Sequence, residues 1–123
     1  MLEVTTDPRL MELNFGDWEM KTWDTIDQEQ AKQWGDHFVN TACPGGESFE
    51  QLHARVSNFW QEIHKQPDDA IVLVVTHGGV IRSILSDVMG KPLGDMFGIK
   101  VDLGGITKLV STNGTDQLVF ANQ

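Results

Sequence analysis

The segment Thr76-His77-Gly78-Gly79 follows directly on the apolar run Ala70-Ile71-Val72-Leu73-Val74-Val75. A strand that ends in an imidazole, glycines that let the backbone approach a ligand, and a helical pattern whose free N–H groups point back at the same spot together suit a phosphate. A protonated His77 ring would donate to a phosphoryl oxygen and offset the charge that spreads over those oxygens during transfer. Gly78 would admit the same oxygens close to the main chain. That role needs no metal. Such a histidine could instead close its strand by bonding a nearby carbonyl. The two glycines weigh against this, as does the tendency of open α/β sheets to bind ligands at the carboxyl ends of their strands.

Breaking a phosphate ester also requires a proton for the departing alkoxide. Glu12 sits among apolar neighbours in Arg9-Leu10-Met11-Glu12-Leu13-Asn14-Phe15-Gly16-Asp17-Trp18-Glu19. A carboxyl group drawn partly out of water favours its neutral, proton-donating form. Asp17 and Glu19 compete for the role, and the residues alone do not rank the three. Arg9 and Arg82 are candidate phosphate partners; Arg82, one turn into the helix after His77, could equally pair with an acidic surface residue. The loop Pro44-Gly45-Gly46-Glu47-Ser48 permits close backbone approach, which makes Glu47 and Ser48 candidate substrate contacts. Ser48, with Gln51 three residues on, reads first as a helix cap.

Other chemistries find less support. His37, His53, His64 and Cys43 show neither paired cysteines nor a His-Glu-x-x-His spacing, so no metal is expected. There is no Gly-x-Ser-x-Gly elbow, and Cys43 has no identifiable catalytic partner. A formal net charge of −9 with only nine Lys and Arg argues against a nucleic-acid surface. The apolar runs are too short to cross a bilayer and the amino terminus lacks a secretory pattern, so no membrane partner is expected and a cytoplasmic setting is. A single cysteine is consistent with a reducing compartment.

The elements that must hold these groups can be read from periodicity. With 123 residues, 40% of them hydrophobic, the chain predicts a single domain over 1–123. Met1 to Met20 reads as extended or loop, broken by Pro8 and Gly16. Trp23, Ile26, Trp34 and Phe38 predict a helix from Thr22 to about Val39, capped by Thr22 or Asp24. Phe49, Leu52, Val56, Phe59 and Ile63 predict a second helix entered through Ser48. The β-branched run Ala70 to Val75 lacks alternation and predicts a strand covered on both faces, as in parallel sheets. A third helix follows from about Gly79 to Met89. Ile106 to Ser111 and Gln117 to Ala121 flank Asn113-Gly114 and predict an antiparallel hairpin. Trp18, Trp23, Trp34 and Trp60 read as core or pocket wall, and His53 and His64 as helix-surface residues.

Three blocks, in this order and spacing, resemble the histidine phosphatase (phosphoglycerate mutase-like) superfamily. They are the segment Arg9 to Glu19, the segment Pro44 to Ser48 with the helix containing Arg55-Val56, and Val75-Thr76-His77-Gly78-Gly79-Val80-Ile81-Arg82. The wording Phe15-Gly16-Asp17-Trp18-Glu19 resembles the alpha-ribazole phosphatase branch. The resemblance implies a three-layer α/β/α fold with a mainly parallel sheet and an antiparallel hairpin at its carboxyl-terminal end. It also implies phosphomonoester hydrolysis through a phosphohistidine, without metal or cofactor. By motif match Glu12 is the acid and His77 the second histidine. The substrate implied is alpha-ribazole 5′-phosphate, in cobalamin biosynthesis; a sugar phosphate, a phosphoglycerate or mere phosphate binding by a non-catalytic module are the alternatives.

The family opens with a strand ending in Arg-His-Gly, which supplies the nucleophile, and nothing before Arg9 matches it. The chain is expected to correspond to the family's carboxyl-terminal portion, incomplete relative to the whole fold and inactive by itself. His37, His53 and His64 stand in the wrong contexts to replace the nucleophile. A sheet without that strand should expose an edge, which predicts that the chain either self-associates with another copy or is unstable.

Overall fold

Ser48 opens the longest helix, α2 (Phe49–Ile63), as the capping pattern predicts. Its hydroxyl accepts the Gln51 N–H at 3.2 Å, and Gln51 Oε1 accepts the Ser48 N–H at 2.8 Å. This reciprocal cap satisfies donors that the first turn leaves free. The computed structural model describes residues 3–123, so the expectation for Met1 and Leu2 lies outside the described residues.

The first helix starts later than predicted. Trp23–Thr25 forms a 3-10 turn, and α1 (Gln28–His37) is capped by Asp27, whose carboxylate accepts the Glu29 and Gln30 N–H groups. Asp24 is engaged by the Thr22 hydroxyl, and Gln28 Nε2 donates to the Trp23 and Ile26 carbonyls, so the turn is closed before the helix begins. Two further 3-10 turns, Pro8–Leu10 and Gly16–Trp18, interrupt the otherwise extended opening segment. The third helix, α3 (Gly78–Val88), begins one residue before its predicted start, with His77 in extended conformation at the cap position. Strands β1 (Lys108–Thr112) and β2 (Thr115–Phe120) form the expected hairpin. Asn113 (φ 54°) and Gly114 (φ 77°) both take left-handed backbone at its turn, which is why an Asn-Gly pair suits it.

The predicted buried parallel strand is the main correction. Residues 70–75 carry no regular secondary structure and join no sheet: among the described residues the one sheet is the hairpin β1–β2. Ile71, Leu73 and Val75 are 98%, 80% and 85% exposed. Among the described residues no neighbouring strand covers the faces of this run or bonds its edges. The expected helices and antiparallel hairpin are present, and no parallel pairing is seen among the described residues.

The core lies elsewhere, between α1, α2, the start of α3 and the opening turns. Leu13, Trp18, Trp34, Phe38, Phe49, Leu52, Val56 and Val80 are buried together. Trp18 and Trp34 meet edge to face at 5.9 Å, and Phe38 and Phe49 do so at 5.3 Å. Such pairs add to the burial term. Of the four tryptophans, Trp18 and Trp34 are core as expected, whereas Trp23 is exposed and Trp60 is half-buried. Helix α2 packs against α3 and the Pro8–Leu10 turn, which brings residues from both halves of the chain to one rim. His64 and Trp60 donate to Asp116, tying β2 to α2, and His53 pairs with Asp87 across to α3. The two helix histidines therefore bridge elements rather than merely face solvent.

Leu52 is 0% exposed at the centre of this core. Leu52→Ala is expected to lower the unfolding free energy by about 2–5 kcal/mol and Ser48→Ala by about 1 kcal/mol, measured by urea denaturation.

Candidate active site

Glu12 reaches α3 from the other end of the chain. Its Oε2 accepts the Gly79 N–H at 3.1 Å and its Oε1 accepts the Leu13 N–H at 2.9 Å. A carboxylate at a helix amino terminus is favoured both by the unsatisfied N–H groups and by the helix dipole. Gly79 makes the approach possible, because a Cβ there would stand 2.3 Å from Glu12 Oε1. The adjacent Thr76 hydroxyl donates to the Leu10 carbonyl at 2.7 Å, a second tie between the same two segments. His77 lies between these ties at the cap of α3 and is exposed. Glu12, His77 and Gly78 are therefore brought to one rim.

Arg82 belongs to this rim as well. Its Nε donates to the Ile99 carbonyl at 2.9 Å, and a Cβ on Gly78 would lie 2.9 Å from its Nη1. The guanidinium thus sits over Gly78, where it can add positive charge beside the helix terminus. Arg9 does not: Asp7 and Glu62 hold its guanidinium at 2.6 and 2.9 Å, over the Phe59 ring. These bonds draw the Asp7 carboxyl below its ordinary value and push Arg9 up.

Glu47 and Ser48 have structural work. Ser48 caps α2, while Glu47 accepts from Arg55 at 2.7 Å and from the Asn14 N–H at 3.0 Å. Arg55 also donates to the carbonyls of Arg9 (2.7 Å) and Glu12 (3.1 Å). The pair is a clamp that fixes the backbone on both sides of Glu12. Burial pulls the Glu47 carboxyl up, but the Arg55 and Asn14 bonds outweigh it and hold the group below its ordinary 4.5. Sequence reasoning placed Arg55 in a motif block without giving it this role; a buried-side arginine eight positions after an acidic loop residue was the available signal. The Asp17 carboxylate lies beside Gly45, 3.1 Å from where a Cβ there would stand, and the Glu19 side chain accepts the Phe15 N–H at 2.9 Å, whereas Glu12 bonds the α3 terminus.

Cys43 is 1% exposed and burial pushes its thiol up to about 11, which suits a core residue rather than a nucleophile. Two grooves among the described residues are lined by neither Glu12 nor His77; one lies between α2, α3 and Asp116, the other between residues 70–74 and β1.

A helix amino terminus carrying a histidine and glycine turn, a carboxylate and an arginine has the groups that phosphoryl chemistry uses. Residues 1–123 match the profile of the histidine phosphatase superfamily (branch 1), and the chain belongs to that family. The adenosylcobalamin/alpha-ribazole phosphatase of Escherichia coli (strain K12) is 31% identical over 106 residues, 84% of this chain and 52% of that protein. Its namesake in Salmonella typhimurium is 28% identical over 100 residues, 79% of this chain and 50% of that protein. The crystal structure of the alpha-ribazole phosphatase from Shigella flexneri matches with a TM-score of 0.88 at 27% identity, covering 99% of this chain and 62% of that one. The chain thus spans about half to three-fifths of these relatives.

Gly79→Ala is expected to push the Glu12 carboxyl off the α3 terminus while leaving the fold intact, because the atom it meets is the end of a flexible side chain. An amide shift at Leu13 with an unchanged urea midpoint checks this. The Glu47 clamp has a pH signature. A depressed folded value means its stabilisation is complete above about 4.5 and is lost as pH falls further. Unfolding free energy should drop with acidification below that point, and Glu47→Gln should flatten the slope.

Proposed function

We propose that this chain provides the acid and the second histidine of a phosphomonoesterase that works through a phosphohistidine. The observation that carries the reading is the Glu12 carboxylate bonded to the Gly79 N–H, beside His77 and Gly78 at the start of α3. In the reaction an imidazole supplied from outside these residues attacks phosphorus and the ester P–O bond breaks. Glu12 in its acid form gives its proton to the leaving oxygen. Glu12 as carboxylate then takes a proton from water, whose oxygen attacks phosphorus as the P–N bond breaks, releasing phosphate. His77, Arg82 and the α3 N–H groups hold the phosphoryl oxygens throughout.

The names of the Escherichia coli and Shigella flexneri relatives support alpha-ribazole 5′-phosphate as substrate, and with it a cytoplasmic place in cobalamin biosynthesis. The whole family fold would carry the three-layer, mainly parallel arrangement, of which the helices and the antiparallel hairpin are seen here. Without the nucleophile the isolated chain binds phosphorylated ligand but does not turn it over. Phosphate binding without catalysis is the second reading, favoured by the fact that His37 lies on α1, His53 on α2 and His64 at the α2 C-cap rather than at the rim.

Equilibrium dialysis with alpha-ribazole 5′-phosphate tests the site. Affinity is expected to fall at least about tenfold in His77→Ala and to stay unchanged in His37→Ala. Equal affinity in the wild type and His77→Ala contradicts the assignment, and an acid-labile, alkali-stable phosphoryl label on His77 itself would make it the nucleophile instead.

A further inference from the structure

Helices α2 and α3 pack against each other and leave between them a groove of about 240 Å³, which Asp116 of β2 also lines. Val56, Ile84 and Val88 give it an apolar lining, and Trp60 adds an aromatic wall. Ser83 belongs to the same lining. It is 1% exposed, and its hydroxyl bonds nothing among the described residues. A helical serine can donate to the carbonyl four residues back, as Ser86 does to Arg82 at 2.8 Å. Ser83 does not, so its hydroxyl carries a desolvation cost that nothing in the fold offsets. Such an atom in the wall of a groove points to a partner that arrives from outside.

The fixed charge around the groove has one sign. Asp87 and Asp116 line it, and among the described residues no Lys or Arg does. Burial pulls the Asp116 carboxyl up, but its bonds from Ser111, Trp60 and His64 outweigh this and hold it below its ordinary 3.8. It is therefore an anion at neutral pH. Asp87 stands one helical turn beyond Ser83 on α3, which puts its carboxylate and the unpartnered hydroxyl on one face. His53 Nε2 lies 3.0 and 2.9 Å from the two Asp87 oxygens and leaves their other lone pairs open.

We infer that this groove binds a small primary ammonium compound with an apolar body. The ammonium donates to Ser83 Oγ and to the Asp87 carboxylate, while the body covers Val56, Ile84 and Val88 beside Trp60. The two carboxylates repel an anion of the same shape. Neither Glu12 nor His77 lines the groove, so its occupancy is independent of the phosphoryl reading of the rim.

The probe is phenethylamine, with hydrocinnamate as the anion of similar shape. Each is titrated into the 123-residue chain near neutral pH while the Trp60 indole N–H and the α3 amides are followed by NMR. The amine is expected to shift these resonances and saturate at one molecule per chain, and hydrocinnamate to leave them in place. Ser83→Ala should weaken the amine at least about tenfold, because the ammonium loses a buried acceptor. The same substitution should not lower the urea midpoint, since the hydroxyl it removes bonds nothing in the free chain. Absence of a saturable shift with the amine overturns the proposal, as do equal shifts with hydrocinnamate or wild-type affinity in Ser83→Ala. A lowered urea midpoint in Ser83→Ala overturns it too, because the hydroxyl then has its partner within the fold.

Discussion

The Glu12 carboxylate bridges 67 positions of sequence to reach the Gly79 N–H, and the geometry of the rim follows from that contact. It decides which residue must lack a side chain, since only glycine at 79 leaves room for the carboxylate oxygens. It also decides what the Arg55–Glu47 pair must hold, namely the main chain around Glu12. A charge at a helix amino terminus is worth on the order of 0.3–1 kcal/mol, small beside the ~2–5 kcal/mol of one core leucine. The consequence of the contact is positional: an acid, a histidine and free N–H groups share one small surface.

The molecule divides into a part that is physically complete and a part that is not. Aromatic and aliphatic side chains from α1, α2 and the opening turns close a core around Trp34 and Leu52. The Phe49 and Glu50 N–H groups bond the Phe38 and Val39 carbonyls and join the end of α1 to the start of α2. On the other side, Ile71, Leu73 and Val75 stand exposed in a run that joins no sheet among the described residues. The rim lies at the junction of the two. Its acid and its clamp are set by the finished part, while its histidine stands at the end of the bare run.

Much of this was legible from local chemistry. A capping pair, an Asn-Gly turn and helical spacing each depend on residues within a few positions, so Ser48, Asn113-Gly114 and the apolar face of α2 could be read directly. The start of α1 was misplaced because Asp24, an equally good cap in isolation, is already bonded by Thr22. The run 70–75 was read as a buried strand and is neither paired nor covered: composition sets a backbone preference, whereas pairing and cover depend on strands elsewhere. Glu12 could be chosen over Asp17 and Glu19 only by resemblance, since nothing local says which carboxyl meets a helix far down the chain. Glu47 looked like a ligand contact because its long-range partner, Arg55, cannot be seen from loop composition.

The most direct measurement is the pH dependence of the Gly79 amide proton by NMR. If the Glu12 carboxylate bonds that N–H, the resonance moves as the carboxyl titrates, and the movement disappears in Glu12→Gln while His77→Ala retains it. A Gly79 resonance that ignores the ionisation of Glu12 would separate the two groups in solution and contradict the account of the rim.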